Sequence, residues 1–563
     1  MSSAEASSAP SLTSTIFHAS RTSLDREIER DECRCEKYGG NDPEDPPPKT
    51  PCAGCSSSVP PVIHHDKEEY DPNLVTWDAP DDPENPQNWS RSYKWAVTAV
   101  VSFLTLNVTF SSSAPTSSLR FFAEEFHSSS EASYLTTTLF LLGYVFGPPI
   151  WGPGSEMFGR RAVNILTLFC YTVFHIGQGA APGMATLLVT RFFAGFFASA
   201  PLNNCGGIIA DVWDPIGRGP ANSVLFTTIF LGPALGPLVG GFIVESSLGW
   251  RWVFWILMIF AGVCWVVALL FQPETYAPVI LLAKARRLRK ADPVANKDLY
   301  AESEKQDWSL RAVLHRTLFR PVVMLLKEPI LVLVTIYLSV VYGIIYALFE
   351  ALPVVFIHKR GLSISQCGLI FLGIGVGSVL AACVNLWLGR GFPALVRKWR
   401  GFPPAEERLY GAMVGGPLLV VGIFWLGWTG QYPGVRWYVP MLSTIPIGVS
   451  VNCIFMSFLS YLVDTYLMYA ASAFAANTVI RSAVGAAFPL FTYQMFEGTL
   501  QVNWACTLLG GIAFLLAPMP FLFYKYGARI RAGSTFAPCI DLKIAAELDA
   551  ELKAKEKLAT MDV

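Results

Sequence analysis

Glu350, Arg191 and Arg481 stand inside long apolar stretches of this chain, where an ionised side chain is costly and is kept only with a partner, water or a task. About seven apolar residues follow Glu350, which puts it on the order of 10 Å from the end of a helix. A carboxyl so placed can carry a proton between two aqueous sides, or serve as a hydrogen-bonded structural acid near Pro353. Arg191 lies about six residues into its stretch, within snorkelling reach of an interface and equally placed for proton coupling. Arg481 falls near the middle of its stretch, beyond such reach, and is expected to face an internal cavity.

Amides and phenols surround these charges in sequence. Asn107, Asn203, Asn204, Asn385, Asn452 and Asn477 lie in apolar stretches, as do Tyr134, Tyr342 and Tyr346, and together they sketch a mostly apolar site with a few polar anchors. Any single buried Asn can equally be a hydrogen bond between two helices. Gly152-Pro-Gly-Ser-Glu156-Met-Phe-Gly159-Arg160-Arg161 reads as a tight turn with permissive glycines, one acid and two adjacent cations. Its two arginines can also simply mark the cytosolic side. In Gly232-Pro-Ala-Leu-Gly236-Pro237-Leu-Val-Gly240-Gly241 glycines recur every four residues, so they line one helix face and permit close packing. Pro233 and Pro237 each remove a backbone donor and favour a kink.

The elements that must position these residues follow from composition. The chain has 563 residues, of which 52% are apolar and 15% charged, and its mean hydropathy is +0.41, so it belongs in a bilayer. A net charge of -1 gives no electrostatic ground for nucleic-acid binding. Twelve apolar stretches long enough to cross a bilayer are predicted at 94–116, 131–151, 162–180, 185–210, 219–244, 252–272, 329–357, 365–388, 408–428, 437–462, 468–496 and 503–526. The chain is thus divided into a disordered acidic tail (1–93), a six-helix half (94–272), a polar central loop (273–328), a second six-helix half (329–527) and a C-terminal tail (528–563). Lys and Arg are roughly fourfold more abundant in the loops on the N-terminal side, which places both termini in the cytosol.

Residues 1–93 hold 18 acidic and 8 basic side chains and carry no apolar run after a basic start, so no secretory signal is expected. Cys33-x-Cys35 and Cys52-x-x-Cys55 lack the flanking core and spacing of a zinc site, and no metal or cofactor is expected. Leu542 to Leu558 has apolar residues at near-helical spacing, as in a solvated or membrane-surface helix. No phosphate-binding loop, zinc-enzyme motif or Ser/His/Asp signature is visible, so neither an ATP-driven engine nor a catalytic site is expected.

The motifs resemble those of one family. Gly152 to Arg161 is similar to the major-facilitator loop signature G-x-x-x-D-R-x-G-R-R, with Glu156 at the Asp position and Met157 at the first Arg, so a relay through that Arg is not carried over. Gly232 to Gly241 resembles the antiporter signature of proton-driven drug exporters, and Arg191-Phe-Phe-Ala-Gly195 the R-x-x-x-G element. Asp211 and Arg218 resemble a fungal D-x-x-x-x-x-x-R-G arrangement. With Val75-Thr-Trp77, Asn85-Pro86-Gln-Asn88-Trp89, Tyr346 to Pro353 and Ser472 through Arg481 to Phe491, the likeness runs over roughly residues 75–527 to the fungal twelve-span drug:H+ antiporters. The resemblance implies an all-α membrane fold that exports drugs, toxins, secondary metabolites or polyamines in exchange for protons, functioning as a monomer in the plasma membrane. It further implies proton coupling at Glu350, Arg191 and Arg481, and a cytosolic gate of Gly152, Glu156, Gly159, Arg160, Arg161, Asp211 and Arg218. The rivals are an uptake symporter on the same fold and, from another class, a membrane enzyme or receptor.

Overall fold

The computed structural model describes residues 71–305, 309–548 and 550. The paired cysteines at 33–35 and 52–55, most of the expected acidic tail and the end of the 542–558 segment lie outside them.

Among the described residues there are helices and no strands, apart from one isolated bridge between Leu74 and Tyr300. The long helices are α1 (Arg91–Ser113), α2 (Ser130–Phe146), α3 (Arg160–Gly179), α4 (Met184–Val212), α5 (Arg218–Glu245), α6 (Arg251–Phe271), α7 (Pro329–Pro353), α8 (Leu372–Leu388), α9 (Tyr410–Gly430), α10 (Thr444–Tyr466), α11 (Ala470–Glu497) and α12 (Gln501–Leu516). Local sequence sets several starts. The hydroxyls of Ser90 and Ser129 accept from the amides of Tyr93 and Ala132, and Pro329 opens α7 where its missing N–H has no cost. α6 keeps Ile259, Val263, Leu270 and Phe271 exposed, as a helix facing hydrocarbon does.

Nine segments among the described residues are long and apolar enough to cross a membrane. One of them, Tyr438–Glu497, holds 60 residues, far more than one crossing requires, and contains both α10 and α11. Helices α2 and α3 fall outside the nine. α2 holds only 17 residues, short for a full crossing, and carries Glu131, Ser133 and Thr136 to Thr138, while α3 carries Arg160, Arg161, Asn164, His175 and Gln178.

The packing is doubled. α1 packs on α5, α2 on α4, and α3 on both α4 and α6. Adding six to each label gives the second set, with α7 on α11, α8 on α10, and α9 on both α10 and α12. The two sets meet where α2 packs on α11 and α5 on α8, contacts that the same shift exchanges.

At the end of the second set, Glu328 is buried at the start of α7. Its carboxylate accepts from the Tyr466 hydroxyl (3.2 Å), the Ser534 hydroxyl (2.7 Å) and the amides of Thr535 and Phe536 (3.1 and 3.3 Å). Arg531 is clamped between Glu406 and Asp541, each at 2.7 Å. The strand of chain after α12 is therefore fastened by buried charge-assisted bonds.

Residues 71–85, within the segment expected to be a tail, form a separate compact unit with 278–305. The Val75 amide donates to the Tyr300 carbonyl and the Tyr300 amide to the Asn73 carbonyl, both at 2.9 Å, while the Tyr300 hydroxyl donates to Asp71. Lys284 reaches Asp78 (2.7 Å), Asp82 (3.3 Å) and the Thr76 carbonyl (3.2 Å). Burial alone raises the Asp82 pKa, but the amides of Glu84 and Asp78 and the Lys284 ammonium outweigh it and hold the carboxyl below its usual range. A depressed folded-state pKa contributes stability above the unfolded value of about 3.9, lost as pH falls through the folded value. Asp82→Asn is accordingly expected to speed hydrogen exchange at the Val75 and Tyr300 amides about tenfold at pH 7, by a factor that shrinks as pH falls below the unfolded value. Equal exchange in both proteins at pH 7 would show that Asp82 does not hold this unit.

Candidate functional site

The charged and aromatic side chains of α7 and α11 meet the first set near the middle of the bundle. The Tyr346 hydroxyl donates to the Ser112 hydroxyl of α1 (3.1 Å), and the Tyr342 hydroxyl lies 3.4 Å from that of Tyr346. The Arg481 guanidinium sits 5.0 Å from the Tyr342 ring and 5.3 Å from the Phe455 ring. Its Nε has no hydrogen-bond partner, and Cys205 of α4 is an electrostatic neighbour on the opposite set. From there aromatic contacts continue in two directions, through Tyr346, Phe349 and Phe371 and through Phe455 to Phe230. Phe230, Phe349 and Phe371 line an apolar cleft with Pro233, Ala234 and Ile345.

Arg191 is completely buried and does not reach outward. Its Nε donates to the Thr136 carbonyl and its Nη1 to the Ser111 carbonyl, both at 3.1 Å, and its guanidinium rests 4.3 Å from the Phe140 ring. Nη2 has no partner. Carbonyls and a π-face compensate this cation in place of a carboxylate. Beside it lies a pair that the sequence analysis did not single out: His175 Nδ1 is 2.9 Å from the Gln178 side-chain oxygen and Nε2 is 3.3 Å from the Ser111 hydroxyl.

Glu350 is 4% exposed and its Oε1 has no hydrogen-bond partner. Tyr134 of α2 and Tyr493 of α11 are its electrostatic neighbours, and their rings pack 5.6 Å apart across the junction of the two sets. The helix runs on past Pro353 to His358 in a wider turn, so Glu350 lies about 12 Å from its end.

The segment expected to be a tight turn is instead a short helix, Pro148–Phe158, which passes through Gly152 and Pro153. The break comes only at Gly159, whose φ of 92° suits glycine and whose added Cβ would strike the Glu274 carboxylate at 2.2 Å. That carboxylate accepts from the amides of Arg160 (3.0 Å) and Arg161 (3.1 Å). The Arg160 side chain reaches Asp211 (3.4 Å) and Ser155 (2.8 Å), and Thr275 donates to the same Asp211 oxygen (3.3 Å). Glu156 is an electrostatic neighbour of Arg160. Arg161 turns instead to the Leu269 carbonyl, and Arg218 to the carbonyls of Ala210 and Trp213. The second set repeats the ion pair: Arg408 just before α9 bonds Asp464 near the end of α10 at 2.7 Å, as Arg160 at the start of α3 bonds Asp211 near the end of α4.

Most of the amides grouped by sequence do not converge. Asn204 donates to Asn164, which continues to Gln272. Asn452 donates to the Ser378 carbonyl and Asn477 to the Thr335 hydroxyl. Asn385 packs against Gly411 of α9, and Asn203 lies beside Gly152. Asn107 is buried with neither side-chain atom paired. Five of these six are bonds or contacts between neighbouring helices of one set, the role an isolated buried Asn commonly has.

The glycine face of α5 does what its spacing requires. A Cβ on Gly232, Gly236 or Gly240 would lie 2.1 Å from Thr109 Oγ1, 2.0 Å from Ser113 Oγ or 2.4 Å from the Ala114 carbonyl, all on the α1 side. Pro237 frees the Pro233 carbonyl, and the Ser113 hydroxyl donates to it at 3.0 Å. Gly241 faces the other set, 3.0 Å by the same measure from the Ile364 carbonyl, and Glu245 accepts from the Ile364 amide at 2.6 Å.

A doubled helical bundle with buried charges at the junction of its two sets defines a multi-pass membrane transporter. The Major Facilitator Superfamily profile matches residues 99–489, and the chain belongs to that superfamily, whose members are transporters rather than enzymes. An MFS-type efflux pump of Trichophyton rubrum is 43% identical over 83% of this chain and 78% of its own. The citrinin biosynthesis cluster MFS transporter of Monascus ruber is 42% identical over 83% and 92%, and a major facilitator superfamily multidrug transporter of Aspergillus fumigatus 40% identical over 83% and 76%. Among solved structures, the proton:xylose symporter bound to 6-bromo-6-deoxy-D-glucose shares the fold at a TM-score of 0.56, with 17% identity over 78% of this chain and 96% of that one.

Proposed function

We propose that this protein exports small amphiphilic organic compounds in exchange for protons, by alternating access of two six-helix halves that together cross the plasma membrane twelve times. Both termini lie in the cytosol and the monomer is the working unit. The observation that carries the reading is Glu350, a buried carboxyl with one unpartnered oxygen, whose electrostatic neighbours Tyr134 and Tyr493 make a contact between the two sets. Rocking the sets apart there would wet it, and closing them would dry it, so protonation and conformation become linked. Relatives named efflux pump and multidrug transporter support export, and the α5 glycine face supports the antiporter direction. Arg191 and Arg481 are the other charges of the coupling region. Arg160, Arg161, Glu156, Asp211 and Arg218, set by Gly152 and Gly159, form the cytosolic gate; Tyr134, Tyr342 and Tyr346 line the cavity.

Secondary transport has a direct test. Efflux of an effluxed dye or toxin from cells producing the protein should collapse with a protonophore while ATP is preserved. Transport that survives loss of the proton gradient but stops on ATP depletion overturns the proposal.

A further inference from the structure

Charge bookkeeping in the middle of the bundle is unequal. Arg191 is compensated by two carbonyls and a ring face. Glu350 lies apart, with the tyrosines of α2 and α11 as its neighbours. Arg481 has no ion pair among the described residues; it is set between the Tyr342 and Phe455 rings with its Nε unpartnered, and it remains partly exposed although it lies mid-helix. A guanidinium kept there without a carboxylate is short of one negative charge.

We infer that Arg481 is the anchor for the carboxylate of an aromatic acid whose ring system packs beside the Tyr342 and Phe455 rings that flank the guanidinium. The inference rests on the export reading and names its substrate class. The planar fork of Arg matches a carboxylate in two parallel hydrogen bonds. The rings on either side exclude water from that pair and leave the guanidinium edge for the ligand. The same unpaired cation repels amines, which removes polyamines from the candidates.

The test uses the purified full chain in lipid nanodiscs at pH 7.5 and three matched fluorescent probes: 9-anthracenecarboxylate, its methyl ester and 9-anthracenemethylamine. The wild type should bind the acid at least about tenfold more tightly than the ester or the amine, as expected for a charge-assisted pair out of water. Arg481→Gln should bring acid and ester within about twofold of each other while ester affinity holds, and Arg481→Lys, which keeps the charge but loses the fork, should retain part of the preference. Gly511→Ala, whose added Cβ meets nothing within 4 Å, should retain all of it. Wild-type protein that binds ester or amine as tightly as the acid, that binds none of the three, or that keeps its preference as Arg481→Gln, overturns the inference. Acid preference without proton-driven flux leaves the inference standing and removes the export reading.

Discussion

Glu350→Gln is expected to lower proton-driven efflux by about a hundredfold, the scale on which a positioned proton carrier contributes, while substrate affinity changes by less than about threefold. Glutamine keeps the volume and the hydrogen-bonding reach of the side chain, and it removes only the exchangeable acid proton. The carboxyl is 4% exposed and lies among Tyr134 and Tyr493, which belong to helices that must separate when the bundle opens on that side. A structural acid in the same position would be replaced well by glutamine, and flux would keep its pH dependence. Substrate binding and pH-dependent flux in inverted vesicles, measured on this one variant, separate the two; unchanged proton-driven flux takes Glu350 out of the coupling.

The second large effect is expected at Gly236. Its added Cβ would lie 2.0 Å from Ser113 Oγ and 2.7 Å from the Ala114 amide nitrogen, and the latter is backbone that cannot rotate aside. Gly236→Leu must push α5 off α1, at a cost of about 1–3 kcal/mol for overpacking, and it breaks the hydroxyl bond from Ser113 that satisfies the carbonyl freed by Pro237. Efflux should fall at least about tenfold in protein that still reaches the membrane. Gly511→Leu is the control, since nothing lies within 4 Å of the Cβ that it would add. Wild-type efflux from correctly localised Gly236→Leu would remove the close α1–α5 contact from the transport cycle.

The parts of this site legible in the sequence were those that violate an expectation. A charge in an apolar run stands out, so Arg191, Glu350 and Arg481 were visible, and glycines at intervals of four announced a close helix face before its partner was known. The amides misled because periodicity gives a face and not what the face meets: Asn452 turns to Ser378 and Asn477 to Thr335, within one set in each case. Glu274 was missed because it binds the amides of Arg160 and Arg161 from more than a hundred residues away, with no local pattern to mark it. Ser112, Phe455, Phe349 and Phe371 carry ordinary membrane-helix residue types, and only folding brings Ser112 to Tyr346, Phe455 to Phe230, and Phe349 and Phe371 to the apolar cleft. Polar residues in α3 blur that helix by hydropathy, for the same reason that they supply His175 to the interior.

The fastening of Glu328 bears on how the protein can be handled. Any tag joined directly after Ala532 would take the place of Ser534, Thr535 and Phe536, and the buried carboxylate would be left with the Tyr466 hydroxyl alone of the donors described. Such orphaning costs about 1–3 kcal/mol or more for a charged group, and Arg531 would lose Asp541 in the same step. A reporter attached there would measure a weakened protein, whereas one attached beyond residue 550 leaves both fastenings in place.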